Sequence, residues 1–259
     1  MPQISPQIIT VHGPAGGVGK TLIALHLAYL FASNGLSTVL VDLSQYGAVA
    51  PWLRLPRGVS SGVSGLVAAG SINAARLRGA LLQAPGVGEN LQLVLSSGPA
   101  KMDQIKSGEV ESLLRQLSSL AQVVVVDTSS ELTERVLGAL LASTKVLMAV
   151  CPMVIAGWQT LELLDLLRSA HAGREQLGVV FNRVRVGSKY GLAEYQQVIG
   201  LPVLGSIPES AELQGAAEVG GPPAISKPGP GIKALRQLAN DLIPTSAHKE
   251  VRRSWLWSR

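Results

Sequence analysis

The 259-residue sequence contains a single cysteine, Cys151. One thiol excludes a disulfide framework, a cysteine-ligated zinc site and a self-contained iron–sulfur centre. Aromatic residues are scarce at 4%, so a core has to be built from Val, Leu, Ile and Ala. Charged residues make up only 15% against 47% apolar ones, which excludes a disordered chain or a coiled coil. No stretch of 18 purely apolar residues occurs. The nearest, residues 136–158, is broken by Ser143, Thr144 and Lys145 and contains Pro152. It reads as a helix followed by a buried strand, not as a membrane span. The opening residues lack a basic segment followed by an apolar one, so no secretory signal is expected and the compartment is a reducing cytoplasm.

What is present is a recurrence of Val/Ile/Leu runs with helical stretches between them. Strands are predicted at 7–12, 38–42, 91–95, 122–127, 145–150, 177–182 and 203–207. Helices are predicted at 20–33, 109–120, 131–142, 156–170, 209–219 and 231–242. Strands that are apolar throughout are covered on both faces, and their alternation with helices implies parallel crossover units. The expected fold is therefore a doubly wound α/β layer with a mainly parallel sheet, occupying residues 1–244. This also accounts for the mean hydropathy of +0.31 without a membrane. The Pro/Gly-rich stretch 220–231 reads as a surface loop between two helices, and residues 54–65 read as irregular.

The first strand runs into Gly13-Pro14-Ala15-Gly16-Gly17-Val18-Gly19-Lys20-Thr21, which opens a helix. This is the setting a phosphate-binding loop needs. Its glycines let backbone N–H groups wrap an anion, and the following helix directs its positive end at the same place. Lys20 would reach the β/γ-phosphates and the Thr21 hydroxyl would ligate Mg²⁺. Pro14 replaces the first glycine of the strict G-x-x-x-x-G-K-T pattern. Asp42 and Asp127 end two apolar strands, where ligands of open parallel sheets gather, and are candidates to hold Mg²⁺ or its waters.

With these residues in view the chain resembles the ParA/MinD family of deviant P-loop ATPases along nearly its whole length. Ala15-Gly16-Gly17-Val18-Gly19-Lys20-Thr21 resembles the family loop, and residues 39–53 (VLVDLSQYGAVAPWL) resemble its first switch. Residues 123–128 (VVVVDT) resemble the second switch. The 39–53 stretch most resembles the first switch of CpaE/TadZ proteins, which help place and assemble Tad-type pili. The resemblance implies ATP or ADP with Mg²⁺ as cofactor and Lys20, Asp42 and Asp127 as catalytic residues. It implies Thr21, Asp42 and Asp127 as metal ligands. Ala15 through Leu22 would surround the phosphates. In VFNR (180–183), Asn182 would read adenine beside Arg183, with Pro208 and Glu209 of the closing segment against the base.

Two departures stand out. The family's signature lysine, which reaches across an ATP-bridged dimer, falls on Ala15. The second switch-one aspartate, which orients the attacking water, falls on Ser44. A single preorganised donor is worth roughly 3–4 kcal/mol of transition-state stabilisation, so binding without efficient hydrolysis is expected. The leading function is thus an ATP-binding positioning or assembly factor for a pilus or secretion apparatus, dimerising with nucleotide and acting through protein partners. Two alternatives stand beside it: an active ParA/MinD-type ATPase for DNA partition or division-site placement, and a non-cycling dimeric scaffold.

Net charge is +5, of which +3 falls in the last 15 residues, a basic aromatic tail ending HKEVRRSWLWSR. Tryptophans among arginines suit a lipid interface, so peripheral contact with the inner face of the membrane or a cell pole is one reading. A disordered end, or tryptophans packing on the body or a partner, are the others. Arg183, Arg185 and Lys189 read as a solvated loop in preference to a DNA-binding patch. His12 and His26 read as packed residues, Trp52 and Trp158 as core packing, and Cys151 as lying inside a strand.

Overall fold

The loop-bearing strand β1 (Gln7–His12) forms the middle of the sheet. Five of its six residues are buried, because it is hydrogen-bonded on both edges and covered on both faces. The computed structural model describes residues 5–56, 62–70, 73–169, 176–185, 187 and 192–243. The predicted tail and Lys189 lie outside the described residues, as does part of the 54–65 segment.

The other strands are β2 (Thr38–Leu43), β3 (Leu82–Gln83), β4 (Leu91–Val94), β5 (Val123–Thr128), β6 (Lys145–Val150), β7 (Leu177–Val184) and β8 (Val203–Pro208). Their order across the sheet is β3-β4-β2-β5-β1-β6-β7-β8. Every pairing is parallel except the short edge pair β3–β4. The chain moves one way from β1 to β2 and the other way from β5 to β6. The reversal therefore falls beside β1, where open α/β sheets place their ligands.

Alternate strand residues feed the two faces. Ile9, Val11, Leu40, Val125 and Leu147 pack on one side against α1 (Lys20–Ser33) and α11 (Pro230–Leu242). α1 is apolar almost all round, and 12 of its 14 residues are buried. It ends where expected, at Asn34 and the left-handed Gly35 (φ 81°). On the opposite face Val39, Val41, Val124 and Val126 pack against α3 (Val63–Ala68), α4 (Ala74–Ala80) and α6 (Ser107–Ser118). Further along it, Val146, Met148 and Phe181 pack against α7 (Glu134–Ala142), α8 (Val154–Ser169) and α9 (Leu192–Ile199).

The predicted doubly wound fold is what forms, and all seven predicted strands are present within two residues of their expected ends. The 136–158 stretch resolves into α7, β6 and the start of α8. Among the described residues no helix is long and apolar enough to cross a membrane. The sequence reading missed the short helices α2 (Val49–Trp52), α3, α4 and α5 (Pro99–Met102), as well as α9 and the two-residue β3. α10 (Ala211–Val219) and α11 flank the Pro/Gly-rich loop as expected. Three side-chain expectations are corrected. Cys151 lies one residue beyond β6, buried at a rim and not within the strand. Trp158 is 66% exposed and does not pack in the core. Trp52 packs only partly against the α1 core and otherwise faces a cleft.

Candidate functional site

The turn from β1 into α1 closes on itself through Lys20. Its ammonium donates to the Ala15 carbonyl and to the Ser130 hydroxyl, each at 2.8 Å. One cation thereby holds both the phosphate loop and the segment following Asp127. Lys20 is buried, and desolvation lowers its pKa while the Asp127 charge raises it. Gly19 caps α1 in a left-handed conformation (φ 94°), and a Cβ there would strike the Asn182 amide nitrogen. Only glycine fits both constraints. Asn182, at the end of β7, donates from Nδ2 to the Val18 carbonyl at 2.8 Å. This bond straps the loop to a second strand and leaves Oδ1 as an acceptor. Asn182→Ala should cost roughly 1–3 kcal/mol, since it orphans a buried carbonyl. Chemical denaturation of the ligand-free protein measures this directly.

Two carboxylates lie beneath the loop. Asp42 pairs in register with Asp127 across β2 and β5, and Asp127 pairs with Val11 of β1. Both are fully buried. Asp127 Oδ2 accepts the Thr21 hydroxyl at 2.7 Å, whereas its Oδ1 has no partner. Asp42 Oδ1 accepts the Ser44 amide at 2.9 Å and the Ser44 hydroxyl at 2.5 Å, and its Oδ2 accepts the Val49 amide at 2.9 Å. Burial raises the pKa of both acids. Asp127 is pushed up to about 8 by desolvation first and by the charge of Asp42 second. An unpartnered buried carboxylate oxygen, a second carboxylate beside it and a threonine hydroxyl are hard oxygen donors that fit Mg²⁺. Among the described residues no group of three or more His, Cys, Asp or Glu could hold a metal. A cation here would complete its shell with water and phosphate oxygens, the habit of magnesium.

His12 stands against the same layer. Its Nδ1 is 2.9 Å from the Thr128 hydroxyl, which itself donates to the Val11 carbonyl, so Nδ1 carries the hydrogen. Burial, reinforced by Lys20, depresses its pKa to about 3 and keeps the ring neutral. His26 is a core residue bonded to the Leu22 carbonyl at 2.7 Å, as expected.

Above this floor two clefts join. The larger, about 370 Å³, is lined by Gly19, Leu22, Asn182, Arg183, Pro208 and Glu209, together with residues of α10. The smaller, about 230 Å³, is lined by Gly17, Gly19, Lys20, Thr21, Arg183 and Trp52, among others. Gly19, Leu22, Arg183 and Ala217 belong to both. The predicted base-side and phosphate-side residues thus converge, with Arg183 at the junction in a left-handed backbone conformation (φ 55°) unusual for an arginine. Glu209 is bonded to Arg185 at 2.5 and 3.1 Å on the exposed rim. Of the predicted loop residues, Ala15 contributes its carbonyl to Lys20 and Val18 its carbonyl to Asn182, while Gly16 is exposed to solvent.

Sequence reading missed Ser130, Trp52 and Arg135. Arg135 is the largest fully buried side chain. Its Nε donates to the Leu43 carbonyl at 3.1 Å, its Nη1 to the Met102 carbonyl at 3.3 Å, and its Nη2 to Gln45 Oε1. It also pairs with Asp103 at 3.6 Å. Nothing in the local pattern of α7 marks this arginine, because its partners come from two other segments, 43–45 and 102–103.

A glycine-rich strand–helix turn, a buried lysine and paired strand-end aspartates at the reversal of a parallel sheet define a P-loop nucleotide-binding protein. The chain belongs to the family described as CobQ/CobB/MinD/ParA nucleotide binding domain, which matches residues 9–223. It is similar, at 22% identity over 95% of the chain and 90% of the relative, to an uncharacterized ATP-binding protein of Methanocaldococcus jannaschii. The septum site-determining protein MinD from Pyrococcus horikoshii, solved with Mg-ADP, has the same fold. Its TM-score is 0.77 at 19% identity, covering 94% of this chain and 98% of the other. A ParA family ATPase from Chlorobium tepidum gives 0.73 at 18% identity, covering 98% and 99%.

Proposed function

We propose that the protein binds Mg-ATP between its phosphate loop and α10, dimerises in response, and serves as a positioning or assembly factor of the CpaE/TadZ kind with weak hydrolysis. Thr21, Asp42 and Asp127 would hold the metal, Lys20 the β/γ-phosphates, and Asn182 with Pro208 the base. The Mg-ADP carried by the Pyrococcus relative supports the cofactor. The observation that carries the weak-hydrolysis reading is the use of Ser44. Its hydroxyl donates to Asp42 at 2.5 Å and accepts the Ala48 amide at 2.9 Å, so the position offers no carboxylate to orient an attacking water and its oxygen is already engaged in holding the loop. Ala15 adds no cation where the signature lysine would stand. Protein partners of a pilus or positioning system follow from this reading, and DNA is disfavoured by the nearly neutral body.

A second reading, an active ParA/MinD-type ATPase, is favoured by the intact set of Lys20, Thr21, Asp42 and Asp127. Phosphate release from Mg-ATP, measured together with light scattering, separates the two. The proposed factor turns over no more than a few times per minute and doubles its mass with ATP. Fast turnover, or turnover stimulated by DNA or lipid, favours the active enzyme. A single mass with and without ATP favours a permanent scaffold.

A further inference from the structure

We infer that Trp52 is a nucleotide-contacting residue, its indole forming the wall that covers the sugar–phosphate segment between the base cleft and the phosphate loop. This rests on the nucleotide-binding reading above and gives a ligand role to a residue of the 39–53 stretch that the sequence reading took only as packing.

Trp52 lines the smaller cleft together with Gly17, Lys20 and Thr21, and that cleft shares Gly19, Leu22, Arg183 and Ala217 with the larger one. A ligand with its phosphates at Lys20 and its base beside Asn182 would occupy both clefts, and so would lie in the one that Trp52 lines. The side chain is half-buried and rests its inner edge on the α1 core, so it is already oriented before any ligand arrives. An indole supplies a large rigid surface at little cost in conformational entropy.

The backbone of Trp52 is fixed from both ends. At the start of α2, the Val49 amide donates to Asp42 Oδ2 at 2.9 Å. At its end, the Trp52 carbonyl accepts the Gly221 amide at 2.5 Å. Arg54, held at φ 55°, donates its guanidinium to the Val219 carbonyl at 2.7 and 3.2 Å. A Cβ on Gly220 (φ 70°) would meet the Trp52 carbonyl at 2.8 Å, so the close approach of the two segments requires glycine there. Trp52 therefore bridges the carboxylate floor and the end of α10, which closes the base cleft.

The test uses the full chain with tryptophans 158, 255 and 257 changed to phenylalanine, which leaves Trp52 as the sole indole. Mg-ADP should quench and shift its emission, saturating at the dissociation constant found by calorimetry. Trp52→Ala should weaken Mg-ADP about tenfold, and Trp52→Phe by less, because part of the aromatic wall remains. If calorimetry shows binding but the sole-tryptophan emission is unchanged and Trp52→Ala binds as tightly as wild type, Trp52 has no such role and the nucleotide reading stands. If the folded wild type takes up no Mg-ADP at all, both ideas fall. If Trp52→Ala does not fold, the emission response and Trp52→Phe alone decide.

Discussion

Lys20→Ala abolishes uptake of Mg-ADP and Mg-ATP while leaving a folded protein: this is the expected result with the largest effect. The Lys20 ammonium is the one buried cation at the loop and already spans Ala15 and Ser130. Charge-assisted bonds to phosphate are about twice as strong as neutral ones, and an unshielded polyphosphate beside two buried carboxylates would be repelled. Affinity should fall by at least about a hundredfold, equivalent to roughly 3 kcal/mol. Folding should suffer little, because the variant no longer buries an ammonium whose desolvation already depresses its pKa. Calorimetry and a thermal melt on one sample measure both quantities. Retention of tight binding would show that the turn is not a phosphate site.

The second large effect concerns Asp127. In the folded ligand-free protein its carboxyl titrates near 8, against an ordinary value of 3.8. Between those limits the folded state keeps a proton that the unfolded chain has released. Stability contributed by that proton is fully present below about pH 4 and is lost as pH rises through 8. The melting temperature without ligand should therefore drop on the order of 5 °C between pH 5 and 8 from this group. Asp127→Asn should flatten that slope and raise the melting temperature at pH 8, since an amide carries no charge to desolvate. On the proposed metal-binding role of Asp127, the same variant should lose magnesium-dependent nucleotide binding, because the oxygen Oδ1, which has no hydrogen-bond partner, would be replaced or repositioned. A melting profile for Asp127→Asn as steep as wild type would contradict the buried-acid account. His12 acts in the opposite sense at lower pH: its depressed value near 3 makes acid destabilising below about 6.5. The window above pH 6.5 is therefore left to Asp127 and its neighbour Asp42, whose carboxyl burial also raises.

Much of the site was legible because its chemistry is local. Gly16 through Thr21 form one turn, and Asp42 and Asp127 each end an uninterrupted Val/Leu run, so strand, turn and helix could be read from consecutive residues. Asn182 came from resemblance, and the structure supplies its second task of holding the Val18 carbonyl. Trp52 was not legible as a cleft residue. It ends a four-residue helix that contains Pro51, too short for any periodicity to develop, and the cleft it lines also takes Ala217 of α10, some 160 residues away. Trp158 misled because its size was weighed above its position: the buried face of α8 is set by Ala156, Thr160, Leu163, Leu164 and Leu167, and Trp158 lies off that stripe. Ser130 and Arg135 were invisible because their roles consist of bonds to distant segments.

Arg135 gives the arrangement a mechanical character. The loop after β2 and the loop after β5 begin at neighbouring aspartates and are gripped by one buried guanidinium, through Leu43 and Gln45 on one side and its own helix on the other. Pulling the loop after β2 away would cost the guanidinium its Leu43 and Gln45 acceptors and leave it the Met102 carbonyl and Asp103. One side chain thus ties the segment after the first aspartate to the helix that follows the second.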